Sequence, residues 1–186
     1  MRNFRMVGLL VLALAVAGGV WAATQSPPSM VIDVSFSLPD LPFDQLVNAA
    51  DMIVLGPITR IGTPTWSDPL DSTGERVITT PVGVLVTEVL KGNVKPGELV
   101  WFRQLGGRIG DTAVRFGDST DFVKGEQLVL ALYRPEGEMA VMTGGELYAF
   151  DGKYVITSDG NARHCWRPGL STVENLKDQI RAAIVR

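Results

Sequence analysis

His164 and Cys165 are the only histidine and the only cysteine of the chain, and they are neighbours. A Ser-His-Asp or Cys-His nucleophile would have to run through that one imidazole. Adjacency does not assemble such a site, because on a strand consecutive side chains point to opposite faces. One histidine also excludes zinc sites built from several imidazoles. A thiolate and an imidazole would hold a soft metal only with ligands brought from elsewhere. The plainer reading makes Arg163 to Arg167 a connection to the last helix, with Trp166 as its packing anchor. Asp111, Asp118 and Asp121 do not carry the ligand spacing of an EF-hand loop, and aspartate in turns bonds its own backbone. Gly106-Gly107-Arg108-Ile109-Gly110 lacks the lysine and hydroxyl ending of a phosphate loop. There is no Gly-x-Ser-x-Gly, His-Glu-x-x-His or Cys-x-x-Cys. The expectation is a protein that is not an enzyme, with no catalytic residue, cofactor or metal.

Binding chemistry is better represented. Trp66 stands between Thr65 and Ser67 in the polar stretch Gly62 to Gly74, where an indole can meet a partner or fold back as a lid. Arg108 and Asp118 belong to the Gly-rich stretch from Gly106 to Asp121. Trp66, Arg108 and Asp118 are the candidate contact residues, since loops on a rigid scaffold carry binding. Trp101, Tyr148 and Tyr154 offer further rings for stacking, although Trp101 and at least one tyrosine read equally as core.

The elements that must position these residues are mostly strands. Met30 to Phe36 alternates with a period of two, and Asp40 is placed to cap a short helix with Phe43, Leu46, Val47 and Ala50 on one face. Met52 to Ile61 reads as a long strand interrupted at Gly56-Pro57, and Arg76 to Leu90 as a second one bent at Pro81 and Gly83. Glu98 to Gln104, Thr112 to Phe116 and Gln127 to Tyr133 follow as strands, and Pro135-Glu136-Gly137 turns the last into Met139 to Thr143. Tyr148 to Ile156 reads as a hairpin around Asp151-Gly152. A capping box at Ser171 and Glu174 opens a final helix, with Val173, Leu176, Ile180 and Ile184 on one face and Lys177, Asp178 and Arg181 away from it. Long strands broken by Gly and Pro suit a small curled barrel.

Residues 1–22 have the layout of a secretory signal peptide: Arg2 and Arg5, an apolar run from Met6 to Val16, then small residues near Ala22. The alternative is an uncleaved membrane anchor. Residues 23–29 form a linker, 30–168 the β domain and 169–186 a helix packed on it. The formal charge is −3, and loss of two arginines with the leader makes it −5. An acidic chain with scattered lysines has no footprint for nucleic acid. No later segment is long and apolar enough to span a bilayer. An exported protein in the periplasm, at the cell surface or outside is the expectation. A lone Cys165 allows no intrachain disulfide; it is either a small buried residue or a link between two chains.

Asn48-Ala49-Ala50-Asp51 leading into Met52-Ile53-Val54-Leu55-Gly56, then Val84 to Gly92 (with Glu88-Val89-Leu90-Lys91-Gly92), then Phe122-Val123-Lys124-Gly125-Glu126-Gln127-Leu128-Val129-Leu130 form a succession. It is similar to the netrin-like domains, which include the tissue inhibitors of metalloproteinases. The resemblance covers roughly residues 43–157 and implies an OB-type five-stranded barrel. The family's amino-terminal cysteine and its disulfides have no counterpart here, so no functional residue carries over. The expected architecture is therefore mainly β: an OB-like small barrel with a short amino-terminal helix and a carboxy-terminal amphipathic helix. Its expected function is non-catalytic binding of a protein or carbohydrate partner. The alternative that the resemblance carries is an inhibitor or regulator of a secreted hydrolase.

Overall fold

Gln127–Tyr133 (β9) is apolar after its first residue because both its faces are covered. Leu128, Leu130 and Leu132 enter one core, while Val129, Ala131 and Tyr133 enter another on the opposite side. The computed structural model describes residues 30–34, 42–70, 72, 74–116, 121–164 and 170–184. The stretches expected to be a leader (1–22) and a linker (23–29), with Asp40, Asp118, Cys165 and Trp166, lie outside them.

Strand Met52–Ile61 (β2) pairs antiparallel with β9, and Ile78–Leu85 (β4) pairs antiparallel with β2. Leu99–Leu105 (β6) pairs antiparallel with β4 from Thr79↔Leu105 to Leu85↔Leu99. Tyr148–Ile156 (β10) meets β6 in parallel at Tyr148↔Arg103 and pairs antiparallel with β9. Following the ladders β2, β4, β6, β10, β9 thus returns to β2. Val54, Ile58, Val82, Val84, Phe102, Leu128, Leu130 and Leu132 are buried together inside this circuit. Glu88–Lys91 (β5) adds to β2, and Asn161–His164 (β11) and Leu170–Thr172 (β12) add to β10. A separate sheet sets Met30–Val34 (β1) parallel to Thr112–Phe116 (β8), with Gly107–Ile109 (β7) on the far side of β8. The fold is mainly β.

Phe43–Ala49 (α1) and Val173–Ile184 (α3) pack on the outer side of the large sheet. Leu46, Val47, Ala50, Leu176, Ile180 and Ala183 close over Ile53, Val129 and Ala131. The cap of α1 is Pro42, whose carbonyl accepts from the Leu46 N–H, rather than Asp40. Lys91 of β5 reaches the other end and donates to the carbonyls of Val47 and Asn48 at 2.9 and 2.7 Å, where a helix favours a cation.

Several expected elements are corrected. The stretch Arg76 to Leu90 is two strands, because the chain leaves β4 at Leu85 and crosses β2 at Thr87 before β5. The Thr87 N–H and hydroxyl both donate to the Leu55 carbonyl there, at 2.7 and 2.9 Å. Met139 to Thr143 lies in a helix, Gly137–Thr143 (α2), with Met142 buried. Gly144 in the left-handed region (φ 64°) ends it, and the Gly145 N–H bonds back to the Ala140 carbonyl. Tyr148 to Ile156 is one strand rather than a hairpin. Three residues of β10 between Ala149 and Lys153 face a single residue of β9, so Asp151-Gly152 serves a bulge instead of a turn.

The cap of α3 also shifts. The Thr172 hydroxyl accepts from the Asn175 N–H at 3.2 Å, while the Ser171 hydroxyl is buried without a hydrogen-bond partner among the described residues. Glu174 pairs instead with Lys177 at 2.9 Å, and Lys177 pairs with Glu88 of β5 at 2.8 Å. Lys177 is consequently buried against the sheet rather than turned away from it. Thr172→Ala should cost about 1 kcal/mol of stability, the usual worth of such a cap. Ser171→Ala should cost nothing, since no described residue bonds to that hydroxyl. Urea unfolding of the two variants side by side checks this, and the reverse order would restore the capping box at Ser171.

Candidate functional site

Trp66 does not sit in an irregular loop. Thr65–Trp66 (β3) pairs with β4, with Thr65 opposite Thr79 and Trp66 opposite Ile78. The Ser67 N–H donates to the Val77 carbonyl at 2.8 Å, and the Val77 N–H donates to the Ser67 hydroxyl at 3.1 Å. The Thr65 hydroxyl accepts from Arg103 at 3.2 Å, and Arg103 forms a two-point pair with Glu146 at 3.0 and 3.1 Å. The indole is 40% exposed on this pinned backbone.

Arg108 lies on β7, not in a loop, and its Nε donates to the Gly110 carbonyl at 2.9 Å. Gly107 beside it adopts φ 144°. A Cβ there would meet the Thr80 hydroxyl, Ile78 and Pro64 at 2.5, 3.1 and 3.2 Å, so glycine lets β7 close on β4 and on the chain just before β3. Trp66 and Arg108 therefore each lie within two residues of the approach of Gly107 to Pro64. The third candidate, Asp118, lies outside the described residues.

The other candidates have structural partners. Asp121 accepts from the Gln104 amide at 2.8 Å through its side chain and from the Lys153 ammonium at 3.0 Å through its carbonyl. Among the described residues no three metal-capable side chains gather. His164 is the last residue of β11, opposite Tyr154. Tyr148 and Tyr154 are half-buried against the helix-side core, and the Tyr148 ring packs on Tyr133 with centroids 5.9 Å apart. Burial, followed by the charges of Asp51 and Glu136, pushes the Tyr148 hydroxyl above its ordinary pKa. These are packing rings.

Sequence reasoning left Trp101 open between contact and core, and the pleat decides it. Along β6, Val100, Phe102 and Gln104 are buried, whereas Leu99 and Trp101 stand 40% and 44% exposed on the outer face. Trp66 shares a rung with the inward-facing Ile78, while Trp101 shares one with Gly83 on the outward side of β4. The two exposed indoles thus project from opposite faces of β4.

No protein-family description matches this chain, and no curated protein matches it. Among the described residues no helix is long and apolar enough to cross a membrane.

Proposed function

We propose that the chain is an exported, non-catalytic binding module of the cell envelope or surface, built on an OB-type barrel like that of the netrin-like domains. It recognises a protein or glycan partner. The fold part is supported by the ladder circuit of β2, β4, β6, β10 and β9, with four antiparallel joints and one short parallel joint around a cluster of buried apolar side chains. Export is supported by the basic and apolar layout of residues 1–22.

One observation carries the binding part: Trp66 is pinned by strand pairing and by the Ser67–Val77 bonds, yet keeps a large exposed face. A rigid aromatic loses little entropy on contact, which is why such residues dominate recognition surfaces. Arg108 follows Gly107, which approaches Pro64 two residues before Trp66.

Wild type and Trp66→Ala, immobilised as bait, should be offered envelope and medium fractions of the producing cell. Retained protein and carbohydrate are then analysed. The variant should lose the partner that wild type retains while its stability changes by less than about 1 kcal/mol, as for an exposed side chain. Equal retention by both removes Trp66 from the site.

A further inference from the structure

A row of three residues crosses the outer face of the large sheet: Arg60 on β2, Gly83 on β4 and Trp101 on β6, each opposite the next. Arg60 and Trp101 are separated by one strand, so their backbones stand about 10 Å apart. Between them lies Gly83. A Cβ there would meet Arg60 Cβ at 3.0 Å and Leu99 Cδ1 at 3.2 Å, so the glycine leaves room for the arginine stem and the leucine to lean in from either side. The next row on one side is Leu85 and Leu99; on the other it is Pro81 and Arg103. Along this stretch β4 is paired on both sides, with β2 and with β6, so the row lies on the face of the sheet.

The charges on this face differ in one respect. Arg103 is neutralised by its two-point pair with Glu146. Arg60 is exposed and makes no ion pair or side-chain hydrogen bond among the described residues. A free guanidinium beside an exposed indole and leucine is the composition of a protein-recognition hot spot, with a planar cation and a rigid aromatic inside an apolar ring.

We propose that this face is a docking site for a protein segment that places a carboxylate on Arg60 and apolar side chains on Trp101 and Leu99. A stem such as glutamate's can lie along the indole while its carboxylate forks onto the guanidinium. A sugar fits less well. A ring stacked on Trp101 would carry hydroxyls over Leu85, Leu99 and Pro81, which offer no side-chain hydrogen-bonding group, and unpaired polar groups are costly to cover. The chain's net negative charge does not oppose the contact, because distant charges are screened within about a Debye length of 8 Å whereas this pair is local. The site is on the face opposite Trp66 and stands or falls separately from it.

The test selects a random linear peptide library on the full chain and measures the enriched peptides on Arg60→Glu and Trp101→Ala. Thermal unfolding shows first that both variants are folded. Enriched peptides should carry Asp or Glu next to Leu, Ile, Phe or Trp. Each variant should weaken them about tenfold or more, and replacing the peptide's acid by its amide should give the same loss on wild type. The charge-reversed variant should instead favour peptides with Lys or Arg at that position. Peptides that bind both variants as tightly as wild type would overturn the site, as would a selection that enriches nothing. Binding of oligogalacturonate that depends on Trp101, with no such dependence for any peptide, would assign the face to acidic glycans and overturn the proposal.

Discussion

Gly56→Ala is expected to cost about 4 kcal/mol or more and to lower the thermal midpoint by roughly 10 °C, among the largest effects that one methyl group can have. A Cβ at this position would overlap the Leu85 carbonyl oxygen and stand 2.9 Å from its carbon. No rotamer change relieves this contact, because the opposing atoms are backbone. The backbone is fixed on both sides. Gly56 pairs with Leu128 of β9, and one residue earlier the Leu55 carbonyl takes two hydrogen bonds from Thr87. Relief would require separating β2 from β9 or lifting the crossing chain off β2. Pro57 belongs to the same device. The Ile58 N–H donates to Glu126 on the β9 side, so the missing N–H of Pro57 would have pointed the other way. There β2 passes from its last rung with β5, Leu55↔Glu88, to its first with β4, Ile58↔Val84, and no donor is required. Calorimetry on Gly56→Ala decides the matter, and a midpoint within 2 °C of wild type (about 1 kcal/mol at most) would mean that the crossing is loose.

Gly56-Pro57 was legible as an interruption because glycine and proline state local requirements. Its purpose was not legible, since the requirement comes from a chain segment thirty residues away. The same division runs through the fold. β8 and β9 were readable to the residue because glycine-bearing stretches bound short runs of mostly apolar residues. The apolar stripe of α3 was readable because Leu176 and Ile180 repeat with the helical period. Asp151-Gly152 satisfies a hairpin turn as well as it satisfies a bulge, and only the pairing of both flanks with β9 selects the bulge. Gly137–Thr143 is too short for its periodicity to separate a helix from a strand, and its decisive mark is the pair Gly144-Gly145 at the carboxyl end. Among the candidate residues, Trp66 was visible because its sequence neighbours are polar. Trp101 was hidden because both faces of β6 carry large apolar side chains. Alternation groups Leu99 with Trp101 and Val100 with Phe102, but only the ladder circuit tells which pair is enclosed.

Lys153 shows how far a local reading can miss. It follows the Asp151-Gly152 step that suggested an exposed turn, yet its side chain is 8% exposed. The bulge in β10 adds two residues relative to β9, so the pleat keeps its phase and Lys153 faces the same way as Leu130. Its ammonium sits 3.0 Å from the Glu126 carboxylate, donates to the Asp121 carbonyl at 3.0 Å and lies 4.5 Å from the centre of the Phe122 ring. Phe122 meets Phe102 edge to face with centroids 4.9 Å apart, and Gln104 donates to Asp121. One cation therefore fastens segment 121–126 onto the interior of the circuit. Lys153→Ala should cost about 3 kcal/mol, the lower end for removing one partner of a buried pair, because Glu126 keeps some contact with water. Lys153→Met retains the stem but leaves Glu126 unpaired. Adding Glu126→Gln to Lys153→Met should return part of the loss, an interaction energy on the order of 1 kcal/mol. Urea unfolding gives these energies, and amide exchange at Phe122 and Val123 gives their location. Faster exchange confined to that segment is the expected signature of a lost fastening. A cost for Lys153→Ala below about 1 kcal/mol, with exchange unchanged there, would mean that Phe122 holds the segment by packing alone.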